Sequence, residues 1–264
     1  MPRRLLPVSM TLCFALLPAW SQAAEPCEHL VAIGVGERVP YQWLDGAEPQ
    51  GASVTLLNRV AAGLGVTLDV LTAENPEQAE REVSSGRVDL LIDAELRPQL
   101  QAGLDFLEPP LHEAPVVVWV AKDRVFPFQD WDDLGGRRGV RIDNTEWETE
   151  SDQRADAQLQ LRPHGDFVQA LQSLLAGQID YVLHDHVAGQ AVVLRHGWAD
   201  EVVVLMPALY SQPRYLALSH NSACNTAGLR DGLTRALGGL QGEQSGASIV
   251  RQHLQQWAER RRSD

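Results

Sequence analysis

Ser84-Ser85-Gly86-Arg87-Val88-Asp89-Leu90-Leu91-Ile92 joins a helix end, a glycine stop and an apolar run. From Val88 to Ile92 only Asp89 interrupts the apolar side chains, the pattern of a strand covered on both faces. Upstream, Asn75-Pro76-Glu77 offers an N-cap and a proline at the first helical position, so a helix is predicted from there to near Gly86. The construction returns at Leu175-Ala176-Gly177-Gln178-Ile179-Asp180. There an amphipathic helix over Phe167–Ala176 stops at Gly177 and a strand over Asp180–His184 follows. Two α/β lobes of similar build fit this doubling.

The flanks extend the pattern. His29–Gly36 reads as a strand, Ser53–Leu64 as a helix stopping at Gly65, and Thr67–Leu71 as a second strand. Val116–Ala121 is a β run with little polar interruption. After it come a strand at Arg138–Ile142, a polar helix from Thr145 and a helix at Val187–Arg195. Strands at Glu201–Met206 and Tyr215–Ser219 precede two C-terminal helices, the last over about Ala247–Arg260. Strands alternating with helices predict α/β units and a mostly parallel sheet.

The chain has 264 residues, 22 Lys+Arg against 35 Asp+Glu, and a formal charge of −13. That balance argues against a nucleic acid or an anionic membrane as partner, since both select a basic surface. Lys122 is the only lysine, so lysine Schiff-base chemistry has almost no place. Arg3 and Arg4 precede an apolar run, Leu5 to Trp20, broken by prolines and hydroxyls and followed by Ser21-Gln22-Ala23. Residues 1–23 therefore read as a cleaved secretory signal peptide, with an exported, periplasmic product. The run is too short to span a bilayer comfortably. Cys13 leaves with that leader; Cys27 and Cys224 remain, an even pair in an oxidising compartment, and a disulfide is expected. The alternative is two buried thiols.

Five segments carry a resemblance. They are Pro40-Tyr41-Gln42-Trp43-Leu44-Asp45-Gly46 with Gly51; Gly86-Arg87-Val88-Asp89; Glu95-Leu96-Arg97 with Leu104-Asp105-Phe106 and Pro109; Asp133 to Val140 with Asn144-Thr145; and Gly177 to Asp180 with His184-Asp185. In order and spacing the chain resembles the periplasmic solute-binding proteins of polar amino-acid ABC importers, extracellular solute-binding family 3. That resemblance implies a two-lobed type II periplasmic binding protein fold, each lobe a mostly parallel sheet flanked by helices, joined by two hinge strands. It implies lobe 1 over residues 24–119 plus 210–264 and lobe 2 over 120–209. Both remaining cysteines then fall in lobe 1.

The same resemblance implies the site. Arg97 stands at the family's carboxylate position, where a planar guanidinium fork suits a carboxylate. Thr145, at a predicted helix N-terminus, is a second anion clamp or a plain N-cap. Asp185 matches the acid that accepts the ligand ammonium. Tyr41 and Trp43 match the aromatic opening and either stack on the ligand or pack within lobe 1. The chain also departs from the pattern: Ile92 and Ala94 replace the usual hydroxyls, Asn144 replaces the glycine before Thr145, and Arg38 stands where many members have an aromatic. An extra cation at the rim follows, with an amino acid or another small organic acid as ligand. No cofactor motif is present, and His184 and His186 lack a third metal ligand nearby in sequence.

Binding without chemistry is the leading reading, with an inner-membrane ABC permease as partner. One alternative is a periplasmic receptor serving a membrane sensor. The other is a dehydratase of the prephenate or arogenate type on the same scaffold, with Asp185 or Glu146 as general acid.

Overall fold

The computed structural model describes residues 27–142, 159, 161–240, 242 and 245–263. The expected leader, with Cys13 and Ala23, lies outside these residues, and so do Asn144, Thr145 and Glu146. Among the described residues no helix is long and apolar enough to cross a membrane.

In chain order the strands are β1 (His29–Val35), β2 (Trp43–Asp45), β3 (Glu48–Gln50), β4 (Thr67–Ala73), β5 (Leu90–Ala94), β6 (Leu104–Ala121), β7 (Gly139–Ile142), β8 (Arg162–His164), β9 (Tyr181–Asp185) and β10 (Val202–Ser219). The helices are α1 (Ala52–Leu64), α2 (Pro76–Ser84), α3 (Pro98–Gln101), α4 (Phe167–Leu175), α5 (His186–His196), α6 (Ala227–Gly238) and α7 (Gly246–Ser263). Local signals set several ends. Asn75 caps α2 by accepting from Gln78 N, with Pro76 in the first turn. Asp166 caps α4 in the same way. Gly65 and Gly197 close α1 and α5 in the left-handed region.

Eight strands form one sheet in the order β4-β1-β5-β10-β6-β9-β7-β8. β4-β1-β5 and β9-β7-β8 are parallel trios. Between them β10 and β6, each 18 residues long, run antiparallel to each other and to the strands outside them. Each half is thus a mostly parallel sheet, with antiparallel pairing only along the two crossing strands. Each half carries a core on both faces. Leu30, Leu57, Leu90 and Leu218 sit on one face of the first half, with Ile33, Val83 and Leu91 on the other. Val118, Tyr181 and Leu205 line one face of the second half, with Val117, Leu171 and Val182 opposite.

The repeated acid has the same task in both halves. Asp89 accepts the Val31 N–H of β1 and Asp180 accepts the Arg138 N–H leading into β7, each tying a strand start to its neighbour. β6 pairs with β9 from Val116 to Trp119. Cys27 and Cys224 are bonded, with Cα atoms 5.4 Å apart across 197 residues of sequence. Both sulfurs lie beside the core of the first half.

Candidate functional site

Where β6 and β10 pass between the halves, a cavity of about 600 Å³ opens. From the first half it is lined by the end of β5, by α2 and by the turn at Arg38. From the second it is lined by Arg141, Phe167 and the end of β9 at His184 and Asp185. Strand ends bring polar groups here because their side chains leave the packed layers.

Arg97 lines the cavity at the N-terminus of α3 and pairs with Glu80 of α2. Arg38 lines it too, its guanidinium 5.8 Å from the Tyr41 ring centroid. Its backbone is fixed by the turn that pairs Arg38 with Gln42. Asp185 reaches the cavity as the N-cap of α5 and is 7% exposed. Its Oδ1 accepts Val187 N at 2.7 Å and Ala188 N at 3.1 Å, and its Oδ2 accepts the Tyr41 hydroxyl at 2.8 Å.

The two aromatic candidates go elsewhere. Tyr41 is fully buried, its ring stacked on His112 at 4.5 Å with 7° between planes. Burial, then the adjacent Asp185 carboxylate, raises its hydroxyl pKa well above the usual tyrosine value. Trp43 packs against His253 and Trp257 of α7, beneath Arg260. Both side chains pack within the first half of the molecule, and the Tyr41 hydroxyl also donates to Asp185 of the second. The structure therefore brings Arg38, Arg97 and Asp185 to one cavity, and leaves Tyr41 and Trp43 behind its wall.

Sequence reasoning missed the charged floor. Arg214 of β10 is 5% exposed and pairs with Glu95, with Gln212 as a second acceptor at 3.1 Å. Burial works against the Glu95 charge, but Arg214, then Arg38, holds its carboxyl below the usual range. Beside this pair Asp93 takes both a hydrogen bond from Ser53 and a contact with His112 Nε2 at 2.8 Å. Burial opposes the Asp93 charge, yet His112, Arg38 and Ser53 hold its pKa down at about 2. The one available signal was a charge beside an apolar run, as at Arg214 before Tyr215–Ser219. His184, stacked on Phe167 at 4.1 Å, has its pKa lowered to about 4, chiefly by burial, so it stands neutral in the wall at ordinary pH.

Two chemistries fit poorly. Ser53, His112 and Asp93 resemble a hydrolase relay in composition, but His112 uses the same Nε2 toward Ser53 Oγ (3.4 Å) and Asp93, while its Nδ1 has no partner. A relay needs the two nitrogens on opposite partners. Among the described residues no group of three His, Cys, Asp or Glu side chains is arranged to hold a metal ion.

No protein-family model matches the chain, and no curated protein sequence does. Solved structures do. The amino acid ABC transporter substrate-binding protein AbpA of Streptococcus pneumoniae, bound to L-arginine, aligns at 16% identity over 88% of this chain and 96% of its own, with a TM-score of 0.65. A histidine kinase sensor domain with similarity to periplasmic binding proteins aligns at 21% identity, 90% and 95% coverage and a TM-score of 0.63. The periplasmic VFT2 domain of Bordetella pertussis BvgS aligns at 18% identity, 85% and 93% coverage and a TM-score of 0.66. With two parallel trios flanking a pair of long crossing strands, and with these likenesses along most of its length, the chain has the two-lobed type II periplasmic binding protein fold.

Proposed function

We propose that this protein is a periplasmic solute receptor that captures a small polar ligand with an acid group, an amino acid or related organic acid, between its two lobes for an inner-membrane ABC importer. The observation that carries the reading is the cavity: both halves of the sheet line it, and Arg38 and Arg97 face into it. A dry cleft holds a carboxylate only where a cation meets it, and a guanidinium does so bidentately. In this reading Arg97 and Arg38 hold the acid group from lobe 1 and Asp185 faces them from lobe 2. Thr145 is a second anion clamp. The amino acid-binding neighbour supports the ligand class.

Binding without turnover fits better than a dehydratase. A general acid must carry a proton to give, whereas both Asp185 oxygens accept hydrogen bonds. A second reading, a receptor docked on a membrane sensor, is favoured by the histidine kinase sensor domain and the BvgS domain among the likenesses.

The test is a thermal-shift screen of amino acids, organic acids and polyamines on refolded, ligand-free protein. A ligand that binds only the folded state raises the midpoint by mass action. At least one acid-bearing compound is expected to raise it; a flat screen overturns the receptor reading. Cross-linking in a native cell envelope separates the partners: a permease subunit supports import, and a kinase or cyclase supports sensing.

A further inference from the structure

We infer that the site takes an acid with an apolar body: Arg38 and Arg97 meet the acid group, and the rest of the ligand lies against a hydrocarbon wall that both halves supply. The inference rests on the receptor reading and narrows its ligand class.

The wall is where the cores reach the cavity. Leu91 and Leu100 come from one core of the first half, Val116 and Leu183 from one core of the second, and Phe167 and Val192 from the other. Each is buried or half-buried, so a ligand carbon set beside it replaces water on an apolar surface. Phe167 is stacked on His184 at 4.1 Å. His184 also lines the cavity and is uncharged at ordinary pH, so this stretch of wall offers two neutral rings. At about 600 Å³ the cavity falls among sites of roughly 300–1,000 Å³ that enclose drug-sized molecules, with room for a carbon body beside an acid group.

The end of β5 changes in the same direction. Ile92 and Ala94 line the cavity at the two positions where the family that the chain resembles has hydroxyls. Asp93, between them, is turned to Ser53 and His112.

Most charges in the wall are matched within the protein. Arg97 pairs with Glu80 and Arg214 with Glu95, Asp166 caps α4 through Gln169 N, and Arg141 is engaged as well. Glu37, Glu74 and Arg195 are exposed, where water screens an ion pair to little value. Arg38 and Asp185 lie deeper and form no ion pair among the described residues. Both serve the acid-bearing end of a ligand, with or without an amino group, and leave its body to the apolar wall.

Titration calorimetry with two series of probes tests this. One compares L-leucine and L-phenylalanine with L-asparagine and L-aspartate. The other compares hexanoate and 3-phenylpropionate with lactate and succinate. In at least one series the best apolar member is expected to bind at least tenfold more tightly than the best polar member, since each methylene buried is worth roughly fourfold in affinity. Ala94→Ser and Val192→Ser set a hydroxyl in the wall of either half, and at least one of them should lower that ratio by about threefold or more. The ratio is taken within one variant and does not depend on how much of it is folded. If neither series reaches a tenfold preference, or if both variants leave the ratio unmoved, the inference is overturned and the receptor reading stands. Failure of every probe in both series overturns both.

Discussion

Asp93 holds a backbone φ of 57°, a region few non-glycine residues enter, at the end of a buried strand and at the wall of the cavity. Its neighbours account for its persistence there: Ser53 and His112 satisfy both oxygens. They also make it a source of acid lability. The folded pKa, about 2, lies below the unfolded value of about 3.9, so ionised Asp93 stabilises the fold. That contribution is complete above the unfolded value and fades as pH falls through 2. At neutral pH it amounts to about 2 kcal/mol. Asn tolerates the left-handed region, so Asp93→Asn removes the charge while keeping the backbone. In urea unfolding, the stability gap between the two proteins should shrink by about 2 kcal/mol between pH 5 and pH 2. A gap that stays constant over that range would show that His112 and Ser53 do not hold a charge at Asp93.

Helix α5 meets strand β6 through Gly189, whose Cα lies against the Trp119 indole, so a Cβ there would collide with the ring. Gly189→Ala should raise helix propensity yet destabilise the protein by about 1–3 kcal/mol through overpacking. A lower urea midpoint at unchanged slope would show it; a stabilised variant would mean that the Trp119 ring yields. The elements themselves were largely legible. β1, α1, α2, α4 and α5 fall within a residue or two of where periodicity and capping put them, and β5 lies two residues downstream of its apolar run. The crossing strands were not. Val116–Ala121 was visible, but β6 begins at Leu104 and runs through Pro109, Pro110 and Pro115. Glu201–Met206 and Tyr215–Ser219 are the two ends of β10, which carries Pro207 and Pro213. Proline ordinarily ends a strand because it lacks a ladder donor. Here the pairing slips between Leu205 and Tyr210, and the strand continues past Pro207. The site was legible in the same measure. Arg97 and Asp185 sit beside recognisable strand ends, whereas Arg214 meets Glu95 across 119 residues, a pairing that only topology creates. An aromatic opening reads alike for stacking on a ligand and for packing on His112, so Tyr41 could not be settled in advance.

At the scale of the molecule, the disulfide and α7 brace different things. Cys27–Cys224 ties two segments beside one core, so it should not restrain movement between lobes. Reducing it, or Cys27→Ser with Cys224→Ser, is expected to cost about 2–4 kcal/mol in urea unfolding, since the unfolded chain regains the freedom of a very long loop. The affinity of whatever probe binds should stay within twofold; a tenfold change would mean that the bond shapes the cavity. α7 reaches farther. It packs on α1 of the first lobe and on α5 beyond the crossing, and His253 meets Thr55 at 2.9 Å. The position of β10 has a consequence for how the chain assembles. The last strand in sequence lies in the middle of the sheet, between β5 and β6. The second lobe can gather its strands once synthesis has passed Leu205, but the first must wait for Tyr215 to Ser219 to fill its centre. Until then β5 presents a bare edge, the kind of surface on which partly made chains associate with one another. The amino-terminal lobe is therefore begun first and finished last, and Cys27 meets its partner only when nearly the whole chain is available.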